Sequence, residues 1–341
     1  MKKKKLAFFA VVVALAILLS SYPLDSYITR PGGAYELGPL VEVVGGDEND
    51  EGTLSLMTIS LLKATPVLYA FAKFQDGYKV MPADQVRSPH ESDEEYNVRQ
   101  LKMMADSQVN ALQVAFDIAE KPYEVKNNGV YVLTVLEGGA ADGILEPGDR
   151  VISVDGNKFN TQEEFIEYLS AQDEGQRVEL VYEREEREIT DAVELAPLPT
   201  DPERIGIGIA FVENKEITTD PEVTIDSDQI GGPSAGLMFT LEILNRLLDE
   251  DITKGYDIAG TGTMESDGTV GRIGGIDQKV IAADNQDIEI FFAPDDATEG
   301  ATESNYELAK KTAEKIGTDM DVVPIKTIED AMNYLEELQP K

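Results

Sequence analysis

The chain has 341 residues, 42% of them hydrophobic, which predicts two or three domains with sizeable cores. It contains no cysteine and one histidine, His90, so disulfides, thiol nucleophiles and multi-histidine zinc sites are excluded, and we expect no cofactor. The formal net charge of −36 argues against nucleic acid as a partner, because phosphate repels such a surface.

Residues 1–24 have the pattern of a membrane anchor. Four lysines, Lys2 to Lys5, precede an uncharged run from Leu6 to Leu24, close to the roughly 20 residues that span a bilayer. The lysines predict a cytoplasmic N-terminus. A cleaved signal peptide is the alternative, although no small-x-small cleavage site follows the apolar run. We expect a single-pass protein of the cell membrane, in contact with lipid, whose remaining residues are extracellular.

Residues 25–110 are predicted to form a β-rich extracellular segment, similar to a small stalk. Val41–Val44 and Thr53–Ser60 alternate apolar and polar residues, as half-buried strands do. Asp93–Ala119 is helical in pattern, either as two helices or as a helix running into a strand. His90 lies in a loop-like stretch, where we expect a solvent-exposed residue without a catalytic role.

Residues 111–197 form the next predicted module. A strand at Gly129–Val135 precedes a small-residue turn at Gly138–Gly143 and a second strand that ends at Asp155-Gly156. With the Leu145–Gly156 stretch, this order resembles a PDZ domain of the kind associated with bacterial proteases. The resemblance implies capture of an extended peptide by strand addition, with a strand near Ala111–Phe116 bordering the pocket. A β-domain that only spaces the chain is the alternative.

Residues 198–341 alternate strands and helices, which is typical of a mixed α/β domain. The stretch Gly231–Met238 places Ser234 between small residues, directly before an apolar helical run. Glycines expose backbone N–H groups and a helix N-terminus favours an anion, so this serine could be a nucleophile beside an oxyanion hole. An ordinary turn that caps a helix fits the same residues.

Lys279 is the second candidate in this domain. It lies in a predicted helix among Ile276, Val280 and Ile281. A lysine in an apolar pocket loses solvation, so its pKa falls and the neutral amine can take a proton from a hydroxyl. A surface lysine on an amphipathic helix is the alternative.

Three motifs in order resemble the proteolytic domain of the Lon family. They are Gly232–Gly236 around Ser234, Thr261-Gly262 on a short strand, and Ile273–Lys279. The resemblance implies a Ser-Lys dyad, with Ser234 as nucleophile and Lys279 as general base. Thr261 would hold the amine, and the N–H of Ser234 with a neighbouring glycine such as Gly232 would form the oxyanion hole.

The chain departs from the Lon pattern in two ways. Many members carry Asp at the position of Gly231, and no G-x-x-x-x-G-K-[ST] occurs in this sequence, so we expect proteolysis independent of ATP. The order of anchor, PDZ and Lon-type domain resembles the membrane-bound YlbL/SepM-type proteases, which implies secreted peptides or small membrane proteins as substrates. A catalytically inactive PDZ-containing membrane adaptor is the alternative, and Lon-type domains suggest self-association into a homo-oligomer.

The expected fold class is therefore multidomain, α/β and mainly β. It combines a transmembrane helix (1–24), a β-rich stalk (25–110), a PDZ domain (111–197) and a C-terminal Lon-type α/β proteolytic domain (198–341).

Overall fold

A computed structural model describes residues 2–46, 51–88, 91–227, 230–296 and 303–341. The chain divides into two compact units. We call residues 1–42, 46–89 and 234–341 the terminal unit, because it contains both ends of the chain. Residues 43–45 and 90–233 form the central unit.

The terminal unit is built on a six-stranded sheet of order β17-β16-β13-β3-β1-β4. Its strands are β1 (Ser26–Glu36), β3 (Thr53–Lys63), β4 (Lys79–Pro82), β13 (Asp257–Gly260), β16 (Ile290–Pro294) and β17 (Asp321–Ile325). A separate two-stranded sheet pairs β14 (Thr263–Met264) with β15 (Val270–Gly271). The helices of this unit are α1 (Lys2–Ser21), α2 (Pro66–Ala72), α5 (Gly236–Leu247), α6 (Ile276–Asp284), α7 (Asn305–Ile316) and α8 (Ile328–Glu337).

Helix α1 contains the apolar run of the predicted anchor. Its segment Lys4–Ser21 has a mean hydropathy of 2.0 and is long and apolar enough to cross a bilayer. A signal sequence has the same properties, so length and composition leave both readings open.

The N-terminal strands are part of the same sheet as the C-terminal ones, which corrects the predicted stalk over residues 25–110. Strand β3 pairs antiparallel with β1 and parallel with β13, where Leu54 faces Ile258 and Leu56 faces Gly260. Leu54, Leu56 and Met57 are buried. Side chains of successive residues point to opposite faces, so both faces of β3 are covered, and its two pairings place it inside the sheet. The segment after α1 therefore contributes three of the six strands of this sheet.

The central unit begins with helix α3 (Asp93–Ile118), one continuous helix. Ser92 and Glu95 form a capping box at its start. Residues 111–116, predicted as a strand at the peptide pocket, belong to this helix, which corrects that prediction. The buried positions Ala111, Leu112, Ala115 and Phe116 recur at helical spacing, and this apolar face packs only when the segment is helical.

A five-stranded antiparallel sheet of order β11-β5-β6-β7-β8 carries the rest of the central unit. The strands of this sheet are β5 (Tyr123–Val135), β6 (Arg150–Val154), β7 (Arg177–Arg184), β8 (Arg187–Glu194) and β11 (Ile209–Thr219). The central unit also contains helix α4 (Gln162–Ser170) and the strands β9 (Ala196–Leu198), β10 (Asp201–Gly206) and β12 (Val223–Ile225). The short strand β2 (Val41–Val43) lies where the two units divide.

The predicted domain boundary at residue 198 does not coincide with the division between the two compact units. Strand β11 pairs with β5 along its whole length, from Ile209 opposite Val135 to Thr219 opposite Tyr123. Ile207 is buried and Phe211 packs against the same hydrophobic core as β5 to β8. Residues 199–225 therefore fold with the central unit, and the terminal unit resumes at Ser234.

Candidate active site

Ser234 lies in a turn directly before helix α5, in the terminal unit. The helix begins at Gly236, with Ala235 as its N-cap. Every residue of α5 from Gly236 to Arg246 is buried, whereas Ser234 is half-buried. The helix is thus fixed in the core while the serine side chain keeps access to the surface.

The main chain of Ser234 is held by the segment that follows β13. The carbonyl oxygen of Ser234 accepts hydrogen bonds from the N–H of Gly262 and from the hydroxyl of Thr261, both at 2.9 Å. A Cβ at position 262 would lie 2.5 Å from Cγ1 of Val270, so no residue larger than glycine fits there without movement. The Thr261-Gly262 pair therefore sets the position of the serine, a role that its spacing in the sequence did not reveal.

Lys279 reaches the same point from helix α6. The helix begins after Gly275, whose φ of 70° is left-handed and suits glycine. The Nζ atom of Lys279 lies 2.8 Å from Oγ of Ser234 and 2.8 Å from Oγ1 of Thr261. Lys279 is 2% exposed and Thr261 is fully buried. Three residues predicted from separate motifs thus meet at one site.

Burial sets the protonation of Lys279. It lowers the pKa of the amine from 10.5 to about 7, because a buried ammonium ion loses its hydration. No carboxylate among the described residues forms an ion pair with this lysine. At neutral pH a large fraction of the amine is therefore uncharged and able to accept a proton.

Thr261 orients that amine. Its hydroxyl hydrogen is donated to the carbonyl of Ser234, so its oxygen accepts a hydrogen bond from an N–H of Lys279. A neutral amine has two N–H groups and one lone pair. With one N–H directed to Thr261, the lone pair can face the hydroxyl hydrogen of Ser234 at 2.8 Å.

Gly232, predicted as a supporting residue, has a different environment. Its N–H donates to the carbonyl of Gln100 in the central unit at 2.9 Å, so that group is already paired. Its φ is 87°, which side chains rarely tolerate. The glycine is therefore explained by backbone conformation. No described residue accepts a hydrogen bond from the N–H of Ser234, so this group is free to donate to a ligand.

His90, predicted as an exposed loop residue without a catalytic role, lies outside the described residues.

Comparison with known families supports both recognised modules. Residues 111–195 match the family model "PDZ domain", and residues 199–336 match "Lon protease (S16) C-terminal proteolytic domain". The chain therefore carries a PDZ domain and a Lon-type proteolytic domain, and both sequence resemblances are confirmed. The Lon-type match covers both β10–β11 of the central unit and the Ser234–Lys279 site of the terminal unit.

Two relatives illustrate the extent of the similarity. The Lon protease of Metamycoplasma arthritidis is 30% identical over 150 residues, which are 44% of this chain and 16% of that protein. The peroxisomal Lon protease homolog 2 of Caenorhabditis elegans is 31% identical over 144 residues, 42% of this chain and 17% of its own length. The chain thus spans about one sixth of the length of the curated relatives that it matches.

One solved structure is similar to the PDZ module of this chain. The PDZ domain of the SdrC-like protein from Listeria monocytogenes shares 31% sequence identity, with a TM-score of 0.24, over 26% of this chain and 93% of that structure.

Proposed function

We propose that a chain with a PDZ domain and a Lon-type proteolytic domain is a serine endopeptidase that cleaves peptide bonds with Ser234 and Lys279. The observation that carries the proposal is the pair of 2.8 Å contacts from the buried amine of Lys279 to the hydroxyls of Ser234 and Thr261. A serine hydroxyl needs an adjacent base to become a nucleophile, and a neutral lysine is such a base.

The first chemical step forms the acyl-enzyme. Oγ of Ser234 attacks the peptide carbonyl carbon while its proton moves to Nζ of Lys279, which becomes an ammonium ion. The N–H of Ser234 is the proposed donor to the oxyanion. Collapse of the tetrahedral intermediate breaks the C–N bond, and Lys279 returns the proton to the leaving amine.

Hydrolysis of the ester repeats the same proton transfers. Lys279 removes a proton from water as the water oxygen attacks the ester carbon. When the C–O bond to Ser234 breaks, the proton on Lys279 passes to the serine oxygen. The products are a carboxylic acid, an amine and the original dyad, so one base serves both halves of the reaction.

The decisive test uses Ser234→Ala in the full chain, with Ser60→Ala on β3 as a control serine in the same unit. An unstructured peptide is the substrate, and cleavage is followed by mass spectrometry. We expect the Ser60→Ala variant to cleave like the parent and the Ser234→Ala variant to lose about 10⁴-fold or more in kcat/KM. Full activity of Ser234→Ala with an intact fold contradicts the dyad, whereas a parent chain that cleaves no peptide favours the inactive adaptor.

Peptide capture by the PDZ domain is the second element of the proposal. Strand β11 is an edge strand of the five-stranded sheet, and such an edge can pair with an extended peptide. If capture uses a C-terminal carboxylate, a substrate with a free C-terminus should show a KM about tenfold lower than its amidated form, at unchanged kcat. Equal KM values for the two peptides would argue against C-terminal capture.

Three further elements concern the setting of the enzyme. The apolar run of α1 behind four lysines supports a retained anchor with the proteolytic site outside the cell. The absence of G-x-x-x-x-G-K-[ST] from this sequence supports cleavage without ATP. With an external site and no ATP requirement, secreted peptides and small membrane proteins are the proposed substrates. The Lon-type domain supports a second proposal, that the chain self-associates into a homo-oligomer. Peptide cleavage by the purified full chain, measured with and without ATP and magnesium, tests the energy requirement directly.

A further inference from the structure

A short apolar surface lies next to the end of α1, in helix α2 and the residues after it. Three large hydrophobic side chains are exposed there: Val67 at 49%, Phe71 at 51% and Phe74 at 91%. Helix α2, with the sequence PVLYAFA, has no charged residue. A helix that is apolar all round is normally buried. We call Val67, Phe71 and Phe74 the α2 patch.

One face of α2 already has a partner in the terminal unit. Ala72 belongs to a buried cluster with Ile28 and Ala64, and Leu68 packs against that cluster. Phe71 touches Tyr78 edge-on, with ring centroids 5.6 Å apart. The core therefore fixes the orientation of the helix, and the α2 patch is the face that the core leaves open.

The end of α1 is tied to the start of α2 by hydrogen bonds. The helix ends at Ser21, and the N–H of Leu24 donates to the carbonyl of Ala64 at 2.8 Å. The next residue, Thr65, caps α2 through its side chain. Three residues span at most about 11 Å, and α1 also packs directly against α2. The start of α2 therefore lies close to the point where α1 ends.

This distance fits the layer of lipid head groups. The uncharged residues of α1, 6–21, form a helix about 24 Å long, and the uncharged run continues to Leu24. The hydrocarbon core is about 30 Å thick, so this run spans most of it. If it does, α2 lies at the membrane–water boundary, where aromatic side chains are enriched. Tyr22, directly after α1, is 59% exposed.

The charge of this region also fits a lipid surface. The chain carries 65 Asp and Glu residues, yet none occurs from Gly52 to Gln75, where the charged residues are Lys63 and Lys73. Both lysines are exposed. An acidic surface is repelled by anionic lipids, whereas lysines near the head groups are attracted to them.

From these observations we infer that the α2 patch inserts into the outer head-group layer of the bilayer, as a second membrane contact beside α1. The inference rests on the proposed anchor, because the patch reaches the bilayer only if α1 remains in it. Since α2 and the Ser234–Lys279 pair belong to the same compact unit, a second contact would restrict how the active site turns above the membrane. A fixed height above the lipid favours substrates that are themselves held at the membrane.

Single-cysteine spin labelling tests the contact in the full chain. Because the parent has no cysteine, the variants Val67→Cys, Phe71→Cys, Phe74→Cys and Ile316→Cys each take one nitroxide label. Ile316 is a matched control, since it is an exposed hydrophobic residue at the end of α7 in the same unit. The labelled proteins are placed in vesicles of phosphatidylcholine and phosphatidylglycerol, and collisions with oxygen and with a soluble nickel chelate are measured.

We expect labels at 67, 71 and 74 to collide severalfold less often with the nickel chelate than the label at 316, and more often with oxygen. The double variant Phe71→Ser/Phe74→Ser should raise the nickel collisions of a label at 67 toward the value at 316. Water-like collisions at all sites would overturn the inference. Spin–spin coupling between labels on two chains, with few nickel collisions and no rise in oxygen collisions, would also overturn it. That result would show that a second copy of the chain covers the patch in place of lipid.

The mass of the protein recovered from cells separates this inference from the anchor itself. A chain that has lost α1 contradicts the anchor and, with it, the second contact. A chain that retains α1 while its labels at 67, 71 and 74 stay in water contradicts only the role of the α2 patch. Neither readout depends on proteolytic activity.

Discussion

Among the side chains that the structure describes, each unit contains one buried lysine, and the two lysines have different partners. Lys279 in the terminal unit is 2% exposed and contacts the hydroxyls of Ser234 and Thr261. Lys102 in the central unit is 5% exposed and forms an ion pair with Asp106, one helical turn further along α3. Its Nζ also lies 5.8 Å from the centre of the Tyr131 ring.

The difference shows that burial alone does not make a lysine a base. A carboxylate at contact distance and the face of an aromatic ring both stabilise an ammonium ion. Hydroxyl groups carry no charge, so the desolvation of Lys279 is not compensated and the neutral amine is favoured. The partners of a buried lysine therefore separate a catalytic candidate from a structural ion pair, although both look alike as single residues in a sequence.

The largest expected contrast between the two sites is in activity. Lys279→Met removes the proton acceptor and should lower kcat/KM for an unstructured peptide by about 10⁴-fold or more. Lys102→Met removes an equally buried amine and should leave kcat/KM within about twofold. Steady-state kinetics on both variants measures the contrast, and comparable losses in the two would remove the distinction between them.

The next contrast is in stability, and its sign depends on pH. Burial lowers the pKa of Lys279 in the folded chain from its ordinary value of 10.5 to about 7, and the unfolded chain keeps the ordinary value. Between these values the unfolded chain binds a proton that the folded chain lacks, so the free energy of unfolding rises with pH. Below pH 7 the full cost of the buried charge is present. Lys279→Met removes that cost and should stabilise the protein by about 4 kcal/mol at pH 7.

Denaturant unfolding from pH 6 to pH 10 measures this effect. The advantage of Lys279→Met should shrink as the pH rises toward 10, whereas Lys102→Met should show no gain of this kind. A Lys279→Met variant that is less stable than the parent at pH 7 would contradict a destabilising, desolvated amine.

Thr261 gives a smaller effect that tests how the amine is held. The parent should show kcat/KM rising with pH to a plateau, with a midpoint near pH 7, because the neutral amine is the active form. Thr261→Val deprives the amine of a hydrogen-bond acceptor, so kcat should fall about 10–100-fold. The apolar side chain should also lower the pKa of Lys279 and move the midpoint to lower pH.

Thr261→Ser is the matched control, since it keeps the hydroxyl. It should restore both the rate and the midpoint near pH 7. A Thr261→Val variant with reduced kcat and an unmoved midpoint would indicate loss of packing in place of a role at the amine.

The smallest contrast concerns the ion pair of Lys102. Asp106 is 42% exposed in its side chain, so solvent screens part of the attraction. Asp106→Asn should therefore reduce the free energy of unfolding by only about 1 kcal/mol, without affecting peptide cleavage. Unfolding at low and high salt tests this, because added salt should reduce the difference in free energy of unfolding between variant and parent. A large loss that salt does not change would mean that the pair is as desolvated as the Lys279 site.

Local patterns together with the resemblance to the Lon family identified the chemical groups of the site. Small or apolar neighbours pointed to Ser234 and Lys279, the resemblance added Thr261, and the structure brings all three together. The helix around Lys279 followed from its apolar positions, which remain buried at Ile276 and Val280. These features depend on neighbours a few residues away, and periodicity reports such neighbours well.

Long-range pairing is what the sequence did not show. Strand β3 lies about 200 residues before its partner β13, and β11 joins the sheet of β5 although it falls within the Lon-type match. The same alternating pattern fits a stalk strand or a strand of a larger sheet, because periodicity describes one face of a strand and not the identity of its neighbour.

The sequence by itself therefore determined which residues could carry the reaction and which families the two modules belong to. The tertiary structure alone decided that the hydroxyl of Ser234 and the amine of Lys279 lie 2.8 Å apart, and that the amine has no carboxylate partner among the described residues. The reason is physical: the pKa of a buried group depends on desolvation and on the charges around it, and both are set by segments far away in the chain.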